Sequence, residues 1–216
     1  GRLGWTGMGF VTGTIMAAST LIVVLSVREH PKPRVHAQGS VISSYVQVLK
    51  MGTFLTALIP WALHITGVNI LQASLLFYFR YIYGNEAAFQ MALPILLGMA
   101  VLAIPVWVRI SKRIGKKASY NIGMSIFAVA VLLFFFLGHR LGVNFSYFVM
   151  AFGGIGFATQ YVMPFSIVPD VVEYDYAENG VRREGVFYGM WTFWSKIGQA
   201  IGIGLSGLIL PLFQYR

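Results

Sequence analysis

Six long apolar runs alternate with short polar stretches along this chain. Each run is about the 17–25 residues that a helix needs to cross the hydrocarbon core of a bilayer. They predict spans at about 5–27, 52–79, 87–108, 118–138, 146–168 and 186–211. One polar stretch is longer than the rest, REHPKPRVHAQGSVISSYVQVLK at 28–50. Pro31 and Pro33 break helix there, while Val41 to Lys50 has the amphipathic pattern of a short surface helix. Lipid cannot satisfy an open backbone, so the spans are helical. Outer-membrane strands would alternate over short segments, and no such pattern occurs. The expected fold class is an all-α, polytopic membrane protein with six transmembrane helices.

Composition sharpens this reading. With 57% hydrophobic, 15% aromatic and only 11% charged residues, the chain departs from ordinary soluble domains. The lack of cysteine excludes disulfides and thiolate metal sites. A formal charge of +9 first suggests nucleic acid, but the basic residues sit in short connections between apolar runs. The strongest cluster, WVRISKRIGKK at 107–117, is too short to present a groove-reading element. It fits a topology signal and contact with anionic lipid heads.

On one side fall Arg28, Lys32, Arg34, Lys50, Arg109, Lys112, Arg113, Lys116, Lys117, Arg182 and Arg183. On the other fall Arg2, Arg80, Arg140 and Arg216. The richer side is expected in the cytoplasm. The opening GRLGW shows neither an initiator methionine nor a signal peptide, and LFQYR follows soon after an apolar run. A piece of a longer protein is therefore expected. No Ser/His/Asp arrangement, phosphate loop or HExxH occurs, so an enzyme is not expected.

Chemistry concentrates in residues 166–199, which hold five of the seven acids: Asp170, Glu173, Asp175, Glu178 and Glu184. Lys196 stands near the middle of the last apolar run. A charged lysine there costs about 2.5–3.5 kcal/mol on insertion scales, so it should face a polar cavity or a partner. Thr192 and Gln199 lie one turn to either side on the same face. The stripe suits a hydroxylated or anionic ligand; the competing reading is a lysine paired with an acid to hold helices together. Arg182 and Arg183 are expected to pair with Asp170 or Glu173, as a latch in a moving protein or as solvated loop charges in a static one. His64 and Gln72 share a face of the second span, lining a cavity or bonding to neighbouring helices. Gly153, Gly154 and Gly156, and Gly198, Gly202, Gly204 and Gly207, suit close helix packing.

These residues resemble the glycoside–pentoside–hexuronide:cation symporter family, the melibiose permease-like branch of the major facilitator superfamily. PDVVEY (169–174), RREG (182–185) and WSKIG (194–198) match the family's elements after the tenth helix, before the eleventh helix and within it. LKMGTFL (49–55) resembles the entry to its seventh helix, and the basic 109–117 loop its eighth-to-ninth connection. The resemblance implies a partial major facilitator-type bundle. Residues 1–27 would be the last helix of the N-terminal half, 28–50 the central cytoplasmic linker, and 51–216 the C-terminal half without its last helix. Helices 1–5 and 12 would lie elsewhere.

By position, Lys196 and Thr192 match a lysine and a threonine near the family's sugar site. Tyr161 falls where the melibiose permease has a tryptophan. The resemblance implies symport of a sugar or glycoside with sodium or a proton, the cation bound by helices outside this chain, with no other cofactor. A multi-pass protein of the bacterial inner membrane follows. Lysophospholipid symporters of the same wider group share the proline–aspartate element and the lysine, and Phe187, Trp191, Phe193 and Trp194 would give a lipid an apolar track. A non-transporting sensor or assembly subunit is the third reading.

Overall fold

A computed structural model describes residues 2–26 and 40–212. The linker's 28–39 portion and residues 213–216 lie outside the described residues. The element order is α1 (Arg2–Ser26), α2 (Val41–Lys50), α3 (Gly52–Tyr81), α4 (Glu86–Ile114), α5 (Lys116–Asn179) and α6 (Glu184–Leu212). The chain divides into two compact units, Gly1–His36 and Ala37–Arg216. In the first, α1 satisfies its hydroxyls along its own backbone: Thr12 donates to Met8 and Thr20 to Met16, each at 2.8 Å. That habit lets a hydroxyl sit in an apolar helix without an orphaned donor.

In the second unit, α2 is the predicted amphipathic helix, capped by Ser40, whose hydroxyl accepts from the Ile42 N–H at 3.3 Å. Asn85 caps α4 in the same manner through the Ala88 N–H at 3.1 Å. By length and composition, four described helices can cross a membrane: Thr6–Ser26, Gly52–Tyr81, Glu86–Ile114 and Lys116–Asn179.

The last of these is two spans. A straight 64-residue helix would be about 96 Å long, three times the hydrocarbon core. Gly142, at φ 79° and ψ −169°, turns the chain back on itself in a conformation that a Cβ would disfavour. Residues roughly equidistant from Gly142 then meet. Phe127 and Phe157 have ring centroids 5.4 Å apart, and a Cβ on Gly153 would lie 3.2 Å from Ala130 Cβ. The expected spans at 118–138 and 146–168 are the two arms, 116–141 and 143–179.

The second arm runs past its expected end. The expected fifth span ends at 168, just before Pro169, yet helix continues to Asn179 and ends at Gly180, φ 68°, whose N–H bonds Tyr176 O at 2.8 Å. Tertiary packing overrides the proline. Val171, Val172 and Asp175 are buried in this extension, and the two valines join a core with Val48 of α2, Phe54 and Trp61 of α3, and Phe187 and Trp191 of α6. Along the bundle, α4 packs chiefly on α5, and α3 on α6.

The connections sort by charge. Lys50, Gly115 and Gly180 mark the basic end. At the opposite end the Tyr83 and Ser146 hydroxyls bond at 2.6 Å.

Candidate functional site

Helix α6 has two unlike faces. Phe187, Met190, Trp191, Ser195, Gly198, Gly202 and Ser206 are buried. This face lies tightly on α3: a Cβ on Gly198 would sit 2.9 Å from Ala62 O, and one on Gly202 would sit 2.7 Å from Thr66 O. Trp61 donates its indole N–H to Ser195 at 2.6 Å and stacks on Trp191 with ring centroids 5.3 Å apart. Of the glycines expected to pack, Gly153, Gly154, Gly156, Gly198 and Gly202 are at close approaches, whereas Gly204 and Gly207 face open space.

The second face is open. Thr192 and Lys196 are exposed, and Gln199 is half-buried. Lys196 donates to Gln199 Oε1 at 3.2 Å, so the expected grouping of these two is present. The lysine is 12 residues into α6, about 18 Å along the helix axis. Tyr188, missed by the sequence reading, stands one turn before Thr192 on the same ridge and is exposed. Its spacing of four from Thr192 was the available signal.

Tyr161 belongs to the second arm of α5. It is 49% exposed and rests edge-on against Phe157, with centroids 5.5 Å apart. One turn on, Phe165 packs edge-on against Trp61. An aromatic row Phe165–Trp61–Trp191 thus links α5 to α6 through α3. Of the expected lipid track, Phe187 and Trp191 are buried, Phe193 is exposed and Trp194 is half-buried.

The charged pairs at the basic end differ from those expected. Asp170 bonds Lys116 at 2.6 Å, not an arginine, and the same ammonium donates to Ser166 O at 2.8 Å. Arg183 instead grips Asp175, its Nε 3.1 Å from Oδ2 and its Nη2 2.5 Å from Oδ1. A further Arg183 nitrogen donates to Gln47 of α2 at 2.6 Å, and Asn179 donates to Asp175 at 2.9 Å. Arg182 pairs with Glu184 at 3.1 Å and lies 4.9 Å over the Tyr176 ring. Glu173 is exposed.

The helix extension explains these pairs. It carries Asp175 one turn and more beyond Asp170, onto the face that meets the 180–183 turn. Asp170 is left beside the start of α5. Asp175 was visible in the sequence only as one acid among five.

A cavity of about 190 Å³ lies among α3, α4 and both arms of α5. Leu75, Leu96, Phe134 and Met150 help to line it, with Gln72, Ser74 and Tyr78 as polar members. His64 is half-buried, whereas Gln72 is exposed, so the two do not share one environment.

Long apolar helices folded as hairpins, tied by charge at one end and carrying a mid-helix lysine on an open face, define a polytopic membrane protein. The comparison with known proteins agrees. The family described as MFS/sugar transport protein matches residues 1–216, and the chain belongs to this major facilitator family. The family is one of transporters, not enzymes. The chain is 31% identical to the glucuronide carrier protein homolog of Escherichia coli K12, over 98% of its own length and 45% of that protein's. It is 25% identical to the human sodium-dependent lysophosphatidylcholine symporter 1, over 91% and 37% of the two lengths. A sphingosine-1-phosphate transporter of Xenopus tropicalis is also 25% identical, over 95% and 40%. The chain spans less than half the length of these relatives.

Proposed function

We propose that this chain is the last helix of the N-terminal half, the central linker and most of the C-terminal half of a cation-coupled symporter for a sugar, glycoside or similar polar solute. The observation that carries the reading is the open ridge of α6. Lys196 is exposed about 18 Å along an apolar helix, a placement tolerated where it meets a polar passage. The other face is sealed on α3 by glycines and serines, so the lysine cannot turn inward. Lys196, Thr192 and Gln199, with Tyr188 and Tyr161, line the solute side. Lys196 donates to solute oxygens, and Tyr161 offers an aromatic face for a sugar ring.

Access alternates as this half rocks against the rest of the transporter, helices 1–5 and 12, which also hold sodium or a proton. The ties Lys116–Asp170 and Asp175–Arg183–Gln47 close the cytoplasmic end, with Arg182 and Glu173 at its exposed rim. A bacterial inner membrane is the proposed location. The test is solute uptake by the full-length protein bearing Lys196→Ala. Uptake should fall at least tenfold with surface expression unchanged, and wild-type uptake would remove the assignment.

One observation favours a second cargo, a lysophospholipid. The 190 Å³ cavity has an almost wholly apolar lining suited to an acyl chain. Uptake of labelled glycoside and of labelled lysolipid separates the two: only the true cargo is taken up, and an excess of the other leaves that uptake unchanged.

A further inference from the structure

Three buried polar atoms on three helical segments lie about the His64 side chain, and none has a hydrogen-bond partner among the described residues. They are His64 Nε2 on α3, the Tyr120 hydroxyl on the first arm of α5, and Gln160 Oε1 on the second arm. His64 and Tyr120 pack edge to face with ring centroids 6.3 Å apart. The Gln160 carboxamide lies beside the same imidazole, and its oxygen has no partner in good hydrogen-bond geometry among the described residues. Gln160 is only 2% exposed.

Buried polar groups are rarely left unmade in folded proteins, and a cluster of them is most simply completed by a shared small partner. The chemistry of the three atoms specifies it. The carboxamide oxygen only accepts, whereas the phenol and the imidazole can each donate or accept. A hydroxyl group or a water donates to Gln160 and still accepts from the tyrosine or the histidine. Buried waters make about three such bonds.

We infer that His64, Tyr120 and Gln160 form a hydroxyl-binding site that joins α3 to both arms of α5. It is separate from the open ridge of α6, and it does not depend on the transport reading. Its occupant is either an ordered water or a hydroxyl of a bound solute.

A map of the full-length protein, resolved well enough to show ordered water, tests this with and without a glucuronide. We expect one peak within about 3 Å of all three atoms. A peak in both maps identifies water; a peak only with the glucuronide identifies a solute hydroxyl. Direct bonds among the three side chains, with no peak, would overturn the inference.

Thermal unfolding of Tyr120→Phe, Gln160→Met and the double variant gives a second readout. Each single change should lower the midpoint by about 2–4 °C. The double change should cost less than their sum, because losing one ligand already loosens the shared occupant. Strictly additive shifts would count against a common site.

Discussion

The two faces of α6 are made from the same stretch of chain and do opposite things. One is glycine and serine pressed to within van der Waals contact of α3; the other is tyrosine, threonine and lysine left open beside a half-buried glutamine. The two arginines just upstream repeat the contrast. The side chains of Arg183 and Asp175 are 10% and 2% exposed, whereas those of Arg182 and Glu184 are 51% and 55% exposed. Neighbours in sequence thus fall to a sealed side and an open side, and only the sealed one contributes much to stability. The open side is free to serve a ligand.

The largest expected effect is at the buried tie. Asp175→Ala leaves the Arg183 guanidinium buried without its bidentate acceptor, a loss of about 3–5 kcal/mol. Unfolding of the purified protein in detergent should show it, along with weaker protection of α2 from hydrogen exchange, because Arg183 also holds Gln47. An unchanged midpoint would mean that the tie is ornamental.

Next comes the sealed face. Gly202→Ala should cost about 1–3 kcal/mol, since its methyl group would meet backbone Thr66 O. Gly204→Ala, two residues on with nothing near it, should instead gain about 0.5–1 kcal/mol of helix propensity. Opposite signs from the same substitution would confirm which face is sealed. The smallest effect belongs to the exposed tie: Lys116→Ala should change stability by about 0–1 kcal/mol. If that tie closes a gate, its loss appears instead as a shift between inward- and outward-open populations in spin-label distances.

Much of this architecture was legible beforehand because hydropathy reports directly on the bilayer. The long helices, the hairpin at 138–146 and the amphipathic helix 41–50 all followed from runs of apolar residues and their breakers. The extension past Pro169 did not, because propensity points to a stop there. What continues the helix is burial of Val171, Val172 and Asp175 against segments distant in sequence. The pairing of Arg183 with Asp175 rather than Asp170 or Glu173 was hidden for the same reason.

The site was legible in part. Lys196 and Gln199 announced themselves as polar residues in an apolar run, and the structure joins them. Gln160 did not stand out. In a helix that is apolar on every side, periodicity cannot separate a lipid-facing position from a buried one. Gly204 and Gly207 failed in the converse way: glycine composition matched packing, but their faces turn outward.

The account rests on water reaching the open ridge of α6. This chain contains no cysteine, so Thr192→Cys introduces a single reporter there. In the full-length protein, with any cysteine outside this region replaced, a membrane-impermeant maleimide should label position 192, and added glycoside should slow the reaction. Labelling only by a lipid-soluble maleimide, unaffected by solute, would show that the ridge faces acyl chains and would contradict the account.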